Sequence, residues 1–224
     1  MDCPDGQFYA PLPWSQPVAV VAVSANDVIG HNGAIPWKSP CDLRHFRRAT
    51  HGKTVVMGYN TFKSLRCRAL PGRRNVVLTR SSTKAAEITE LGLAYVPSPP
   101  HEPVPEECVD RSSETTLLPC TSVDEVLALQ PRHGADAVMI IGGESIYRQF
   151  LPHTACVLLT MVHVEIPDGD TYFPTGQLHE QEAWRLVCWE NVLRVTNGPS
   201  LTFQRFERPG CTEPTVSVED SDTL

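Results

Sequence analysis

The chain of 224 residues contains no apolar run near the ~20 residues that a membrane-spanning helix needs. Its first residues, MDCPDGQFYAPLPWSQP, lack the basic and apolar stretches of a secretory signal, so we expect a cytoplasmic protein. Positive charge is scarce, because 19 Lys and Arg stand against 26 Asp and Glu, a formal net charge of −7. This balance argues against general binding to nucleic acid or to a membrane surface. An anionic ligand has to be held by local basic groups or by backbone amides.

Patterns typical of metal sites are also lacking. None of the eight cysteines belongs to a C-x-x-C pair, and no H-E-x-x-H pattern occurs. We therefore predict free thiols in a reducing compartment and no bound metal. The dinucleotide fingerprint G-x-G-x-x-G is absent as well, and the sequence has no internal repeat.

What the sequence does contain is an alternation of strand and helix patterns. Apolar segments predict strands over 18–24, 53–58, 75–79, 93–97 and AVMIIGG. Helices are predicted from near Pro40, over 59–65, over 122–129 and over ESIYRQFL. Three consecutive strand patterns follow: 155–164, EAWRLVCWENV and LTFQRFE. The alternation implies a largely parallel α/β sheet, and the consecutive strands imply an antiparallel edge at its C-terminal end.

Composition divides the chain into a domain and its appendages. Residues 18–207 are predicted to form a single domain, preceded by an N-terminal extension over 1–17. A Pro-rich stretch at about 97–121 is predicted to be a mobile surface insertion. The polar, acidic residues 208–224 are predicted to be a flexible tail.

One acid, Asp42, stands in the segment AIPWKSPCDLRHFRRAT, residues 34–50. Ser39 suits a helix N-cap and Pro40 the first helical position, which makes Asp42 the third residue of the helix. A carboxylate there suits the exposed amides and the helix dipole. The local pattern therefore leaves two alternatives open, a helix-start residue or an acid that transfers a proton.

Three predicted strands end in residues that suit phosphate. Glycines let a backbone approach a ligand closely, a helix start presents free amides, and arginine and hydroxyl groups donate hydrogen bonds. The residues are Gly142 and Gly143; Gly58, Asn60 and Thr61; and Thr79, Arg80 and Ser81. Taken singly, these are an ordinary turn, a helix cap and a solvated arginine. Because ligands gather at the carboxyl ends of strands in open α/β sheets, together they indicate a long polyanion such as a dinucleotide.

Six segments, in this order, resemble dihydrofolate reductase: VIGHNGAIPW, DLRHFRRAT, VVMGYNTFKSL, LPGRRNVVLTR, MIIGGESIY and GDTYFP. The resemblance runs from about residue 18 to about 207. It implies a twisted, mostly parallel eight-stranded sheet with flanking helices. It also implies hydride transfer from NADPH to dihydrofolate for tetrahydrofolate biosynthesis and one-carbon metabolism, binding of antifolate-type inhibitors, and a monomer.

The resemblance assigns roles to individual residues. Asp42 matches the active-site acid that pairs with the pterin and promotes protonation at N5, Trp37 lies beside it, and Thr160 is linked to it. Arg73 matches the arginine that clamps the glutamate α-carboxylate, a planar task that lysine performs poorly. The pterin and benzoyl walls match Val21, Ala22, Phe46, Leu65 and Leu70, and the nicotinamide end matches Ile141 and Tyr147.

The cofactor site implied by the resemblance combines a mobile loop with the three strand ends. The loop GHNGAIPW closes over the nicotinamide, and Gly142 and Gly143 match a pair joined by a cis peptide. The implied cofactor residues outside the strand ends are Ala22, Ile29, Gly30, Ala34, Ile35, Glu144, Ser145, Ile146 and Tyr147.

Two departures from the family pattern concern the phosphates. Glu144 stands near the expected pyrophosphate, where its charge would repel a phosphate unless it points to solvent. Tyr59 and Asn60 stand where many members have basic residues for the 2′-phosphate, which leaves Arg80 as the main candidate.

Two rival functions differ in the residues that they require. A pyrimidine reductase of riboflavin synthesis on the same fold would share the NADPH half without needing Asp42, Arg73 or the IPW segment. A non-catalytic binding or structural homologue predicts loss of the acid, the tryptophan or the arginine. All of these residues are present, which favours the reductase of dihydrofolate.

Overall fold

The computed structural model describes residues 16–94, 115–129, 138–179, 183–192 and 198–210. The strands are β1 (Val18–Ser24), β2 (Val28–Gly30), β3 (Thr54–Gly58), β4 (Arg74–Leu78), β5 (Thr116–Cys120), β6 (Val138–Ile140), β7 (Cys156–Val162), β8 (Thr171–Tyr172), β9 (Arg185–Val192) and β10 (Leu201–Glu207). Eight of them form one sheet in the order β5-β4-β3-β6-β1-β7-β10-β9, and β2 pairs with β8.

Parallel pairing extends through the sheet from β5 to β7. β1 lies in its interior, parallel to β6 on one side and to β7 on the other. Strands covered on both faces need continuous apolar sequence, and VAVVAVS provides it, with nearly every residue buried. β10 runs antiparallel to β7 and to β9 and pairs Phe203 with Thr160. The predicted mostly parallel eight-stranded sheet with an antiparallel C-terminal edge is thereby confirmed.

The helices are α1 (Pro40–Thr50), α2 (Tyr59–Ser64), α3 (Ser82–Leu93), α4 (Val123–Leu127) and α5 (Glu144–Phe150). α1 begins as predicted, because the Ser39 hydroxyl accepts a hydrogen bond from the Asp42 amide at 3.3 Å. At α4 the Ser122 hydroxyl accepts from the Glu125 amide at 3.1 Å, as a capping box requires. The sequence did not predict α3. This helix buries a single residue, Ile88, so its sequence shows no apolar stripe along one face.

The region around the predicted insertion differs from expectation. The strand predicted over 93–97 was wrong at its start, since Leu93 ends α3, and residues 95–97 lie outside the described part. An edge strand, β5, instead lies within the stretch predicted as an insertion. Pro119 made this segment look unlike a strand. A proline is tolerated in an edge strand where its missing amide is not needed for pairing. The rest of that stretch, up to residue 114, lies outside the described residues.

Several other expectations touch the described residues only in part. The cysteines in the described part of the chain form no disulfide with one another: Cys41, Cys67, Cys120, Cys156 and Cys188. Within the described ranges, no group of three or more His, Cys, Asp or Glu is placed to hold a metal ion. None of the described helices has the length and apolar character to span a membrane. Residues 1–15 and 211–224 lie outside the described part, so the division into extension, domain and tail stays a prediction.

Residues predicted to form the site lie at one edge of the sheet, the edge formed by the carboxyl ends of its parallel strands. The carboxyl ends of β4, β3 and β6 are neighbours there, since Gly58 pairs with Leu78 and Ile140 pairs with Val56. On its other side Ile140 pairs with Ala19, and β1 continues beyond this point to Ser24. The loops after these strands begin α3, α2 and α5, while the chain leaving β1 leads to α1. This edge therefore brings the predicted acid and the three predicted strand ends together.

Candidate active site

Asp42 lies in the first turn of α1 with 9% of its surface exposed. Burial raises the pKa of this carboxyl from 3.8 to about 6, and a hydrogen bond with Thr160 lowers it in part. Because Ser39 caps the helix through the Asp42 backbone amide, the carboxyl group is left to face Thr160. The two alternatives for Asp42 are thus compatible: one residue occupies the helix start and carries a titratable acid.

The surroundings of Asp42 come from the central strands. Thr160 pairs with Ala22 across β7 and β1, and Ala22 and Trp37 pack against the same small apolar cluster as Cys41. The Nε1 atom of Trp37 is buried and has no hydrogen-bond partner among the described residues. A buried indole N–H normally has an acceptor, so this atom is suited to donate to a bound ligand.

Tyr147 lies within reach of the charge of Asp42. Its hydroxyl donates to the Val20 carbonyl of β1 at 2.7 Å, and its ring meets Phe173 edge-on at 5.0 Å. Burial, and secondarily the charge of Asp42, raises the pKa of Tyr147 far above its usual range. The hydroxyl proton is committed to Val20, so Tyr147 offers the site a neutral ring and an oxygen acceptor.

The predicted apolar walls form a half-buried surface. Phe46, Leu65, Leu70 and Ile141 pack, each partly buried, against one core cluster. Val21 is buried in the neighbouring cluster together with Tyr147. Half-buried apolar side chains backed by a core are what the wall of a ligand cleft requires.

Arg73 is deeply buried although it is charged, with 4% of its surface exposed. Its Nε donates to the Thr50 hydroxyl at 2.9 Å and Nη1 to the Pro71 carbonyl at 3.1 Å. The guanidinium also lies 5.8 Å from the centroid of the Phe46 ring. Burial and the nearby Arg47 lower the pKa of Arg73 to about 10, so it stays cationic at neutral pH. The fork is therefore held rigidly, and three of its five N–H donors are left by these two bonds.

The glycines of two strand ends pack directly on each other. The Gly58 amide donates to the Gly142 carbonyl at 2.7 Å. A Cβ on Gly58 would lie 2.9 Å from Ile146, and one on Gly142, whose φ is +107°, would lie 2.9 Å from the Tyr147 ring. The Gly142–Gly143 peptide is cis, which confirms what the resemblance implied. No side chain fits where these two backbones meet.

Hydroxyl groups line the same strand ends. Thr61 Oγ1 lies 3.3 Å from where a Cβ of Gly143 would stand. The Thr79 hydroxyl accepts from the Ser81 amide at 3.3 Å, and the Ser81 hydroxyl caps α3 by accepting from the Lys84 amide at 3.4 Å. Accepting these bonds uses the oxygens and leaves the hydroxyl protons to be donated. Arg80, between them, is exposed.

The capping role considered for Asn60 and Thr61 is not what the structure has. Gly58 is the N-cap of α2, and no side chain caps this helix. Asn60 is exposed at the second helical position, and Thr61 is partly buried at the third. Their side chains are thus not engaged in capping at this strand end.

Glu144 is turned away from the strand ends. One carboxylate oxygen accepts from Arg148 Nε at 3.0 Å, and the other accepts from the Tyr172 amide of β8 at 3.0 Å. Arg148 also forms an ion pair with it at 3.0 Å. The negative charge that the sequence placed near the expected phosphate is therefore neutralised and aimed at the small sheet, while Ser145 stays exposed.

The predicted loop over the nicotinamide follows β2. A bridge pairs His31 with Ala34, and the Asn32 amide donates to the Asp170 carboxylate at 2.7 Å. Of the remaining predicted loop residues, Ile29 packs on the core beside β1, Gly30 pairs with β8, and Ile35 is exposed. The loop is thus anchored to β8 at one end and presents an apolar side chain at the other.

The sequence did not reveal the residues that hold predicted site residues in place. Thr50 holds Arg73, and Asn75 holds the turn before it by accepting from the Leu70 amide at 2.8 Å and donating to the Leu70 carbonyl at 3.0 Å. Tyr59 donates its hydroxyl to Glu87 at 2.9 Å. The partners in two of these pairs lie more than 20 residues apart, so no local pattern could have revealed them.

The comparisons with known proteins agree with this geometry. The family model "Dihydrofolate reductase" matches residues 17–98 and 109–208. A dihydrofolate reductase type 3 of Salmonella typhimurium is 37% identical over 155 residues, which cover 69% of this chain and 76% of that relative. Dihydrofolate reductase HdrB of Haloferax volcanii is 32% identical over 208 residues, which cover 92% of this chain and 90% of the relative.

A solved structure is similar as well. It is the dihydrofolate reductase of Enterococcus faecalis, in complex with NADP(H) and RAB-propyl, with a TM-score of 0.64 and 25% sequence identity. The likeness covers 88% of this chain and 98% of that one. From the matched family model, the similar relatives and the shared fold, it follows that this chain belongs to the dihydrofolate reductase family of enzymes.

Proposed function

We propose that the chain reduces 7,8-dihydrofolate to 5,6,7,8-tetrahydrofolate, with the proton at N5 of the pterin promoted by Asp42. The observation that carries the proposal is the buried carboxyl of Asp42, bonded to Thr160 and with its pKa raised to about 6. NADPH, when bound, supplies the hydride. One proton from solvent completes the reduction, so that NADP⁺ and tetrahydrofolate leave.

Asp42 has two tasks in this proposal. As a carboxylate it pairs with the amino group and a ring nitrogen of the pterin, and the bond to Thr160 fixes its orientation. A carboxyl with a pKa of about 6 is also a usable acid, since about one molecule in ten holds the proton at pH 7. Asp42 need not touch N5, because a water molecule can carry the proton.

The walls and Arg73 bind the rest of the folate. Val21, Ala22, Phe46, Leu65 and Leu70 exclude water from the pterin and benzoyl groups. Arg73 clamps the glutamate α-carboxylate through a bidentate pair, for which Thr50 and Pro71 hold its guanidinium plane in place. Trp37 donates its buried indole N–H toward the ligand.

The donor set at the strand ends fits NADPH. Arg80 supplies a cation, hydroxyl groups donate, and the glycines allow close backbone approach, while Glu144 is occupied by Arg148 and Tyr172. The residues proposed to hold the phosphates are Gly58, Asn60, Thr61, Thr79, Arg80, Ser81, Gly142, Gly143 and Ser145. Those proposed to hold the nicotinamide are Ala22, Ile29, Gly30, Ala34, Ile35, Ile141, Ile146 and Tyr147. A monomeric state, a cytoplasmic location and binding of antifolate-type inhibitors in the folate site stay predictions.

The test is loss of NADPH absorbance with dihydrofolate as substrate, together with identification of tetrahydrofolate as product. Asp42→Asn is the matched variant, because it keeps the shape of the side chain and removes the acid. Absence of turnover by folded wild-type protein that binds NADPH would contradict the proposal. Turnover of a deaminated pyrimidine precursor of riboflavin in place of dihydrofolate would favour the rival reductase.

A further inference from the structure

A cluster of three side chains lies near the carboxyl ends of β3 and β4: Tyr59, Lys84 and Glu87. The Lys84 ammonium lies 4.4 Å from the centroid of the Tyr59 ring, and the Tyr59 hydroxyl donates to Glu87 at 2.9 Å. Tyr59 follows β3 directly, whereas Lys84 and Glu87 belong to the first half of α3, which follows β4. Because β3 and β4 are parallel neighbours, the three residues stand at the end of the sheet where Arg80 follows β4.

Lysine is an unfavourable residue at this point of α3. It is the third residue of the helix, where the dipole favours an acid, and the first turn contains no acidic residue. The face of the Tyr59 ring offsets this cost through a cation–π contact. A cation is thereby held over an aromatic ring, and a second cation, Arg80, precedes it by four residues in the chain, just before the N-cap of α3.

The order of the strands indicates which part of a dinucleotide reaches this cluster. Asp42 and Tyr147 stand at β1, and the sheet continues outward as β6, β3 and β4. At about 4.8 Å per strand, β4 is about 14 Å from β1. A cofactor with its nicotinamide beside β1 and its pyrophosphate at the glycines of β6 and β3 therefore has its adenosine at β3 and β4.

We propose that Lys84, held over the Tyr59 ring, is a specificity residue that selects NADPH over NADH by pairing with the 2′-phosphate together with Arg80. This inference rests on the proposed function, because it assumes that the cofactor lies across the strand ends. Tyr59 itself has no positive charge, and the Lys84 ammonium from the neighbouring helix places a positive charge over its ring.

The Tyr59 hydroxyl keeps Lys84 available for this pairing. Glu87 stands three residues after Lys84 on α3, a spacing at which lysine and glutamate form an ion pair. The Tyr59 hydroxyl engages the Glu87 carboxylate, and this hydrogen bond raises the pKa of Tyr59. Glu87 is thus drawn to the hydroxyl end of the ring, while Lys84 stays over its face.

The experiment measures binding by calorimetry, independently of turnover, with 2′,5′-ADP and ADP as probes, which differ by the 2′-phosphate. We expect Lys84→Ala to weaken 2′,5′-ADP binding about tenfold and ADP binding less than about twofold. Lys84→Arg, which keeps the charge, should restore most of the affinity. Lys63→Ala is the matched control, since Lys63 is an exposed lysine of α2 at the helix end opposite Tyr59.

A second set of variants tests the arrangement itself. Tyr59→Phe should weaken 2′,5′-ADP binding about threefold, because Glu87 is released to pair with Lys84. Adding Glu87→Gln to that variant should restore the binding. Equal weakening of both probes by Lys84→Ala, or a loss no greater than in Lys63→Ala, would overturn the assignment. Failure of the wild type to reduce dihydrofolate, with Lys84-dependent 2′,5′-ADP binding intact, would count against the proposed function alone.

Discussion

The two halves of the proposed site, the folate end and the adenosine end, differ in how their charged groups are exposed. At the folate end, around Asp42 and Arg73, the charged groups have 9% and 4% of their surface exposed. At the adenosine end, Arg80 and Lys84 are exposed, and Glu87 is engaged by the Tyr59 hydroxyl. Arg73 directly precedes β4 and Arg80 follows its carboxyl end, so two arginines that flank one strand differ through what covers them.

Burial changes how readily a charged group gains or loses a proton, whereas an exposed charged group stays hydrated. Burial raises the pKa of Asp42 to about 6 and lowers that of His45, which stacks on Phe203, to about 4. Exposed cations stay hydrated, so each contributes little to binding but can discriminate between ligands that differ by one phosphate. The buried end is therefore suited to proton transfer and the exposed end to selection of the cofactor.

The largest expected effect is on the chemical step in Asp42→Asn. The rate of hydride transfer at neutral pH should fall by about 10²- to 10⁴-fold, because the variant can no longer promote protonation. The loss should shrink at low pH, where dihydrofolate is already protonated in solution. Single-turnover rates across the pH range measure this, with Asp168→Asn, an exposed loop acid, as the control. An equal loss at every pH would remove the proton role from Asp42.

The same variant should change the pH dependence of stability. The folded pKa of Asp42, about 6, lies above the unfolded value of 3.8, so the buried carboxylate destabilises the fold as pH rises between these values. At about 1.4 kcal/mol per pKa unit, this cost is about 3 kcal/mol, absent below pH 3.8 and complete above pH 6. Asp42→Asn should raise the free energy of unfolding by up to this amount at pH 8 and by little at pH 3.5. Urea denaturation at both pH values is the measurement, and an equal difference at both would contradict the burial effect.

Arg73→Lys should have the next largest effect. It retains the charge but loses the planar fork that Thr50 and Pro71 hold, so dihydrofolate should bind about 30-fold more weakly. NADPH binding should stay nearly unchanged, because the proposal assigns Arg73 to the folate and not to the cofactor. Fluorescence titration with each ligand tests this, and parallel weakening of both would move Arg73 out of the folate site.

A smaller effect than that of Arg73→Lys is expected for Arg80→Ala at the exposed end. The preference for NADPH over NADH, measured as a ratio of kcat/KM values, should fall about fivefold because one exposed cation is lost. Arg66→Ala, another exposed arginine, should leave the ratio as it is. If Arg80→Ala leaves it unchanged too, the 2′-phosphate is bound without Arg80.

Prediction from the sequence worked best where a structure is specified by neighbours in the chain. β1 and β10 have the bounds that their apolar patterns indicated, and the Ser39 cap is in place. It failed at α3, which buries one side chain, and at β5, whose proline obscured an edge strand. In both cases the element is stabilised by the sheet it joins, which local periodicity does not encode.

For the site, the sequence placed Asp42 at a helix start and collected the glycines and hydroxyl groups of three strand ends. It could not tell that Glu144 turns to Arg148 and to the Tyr172 amide, since Tyr172 is 28 residues away. It also could not tell that Tyr59 meets a lysine on the neighbouring helix.

The sequence by itself thus determined strands such as β1 and β10, the caps at Ser39 and Ser122 and the resemblance to a family, because periodicity and capping act between residues close in the chain. Only the tertiary structure decided how far Asp42 is buried, where the charge of Glu144 goes and which cation stands over Tyr59. Desolvation and ion pairing depend on every group that surrounds a charge, and most of those groups come from distant parts of the chain.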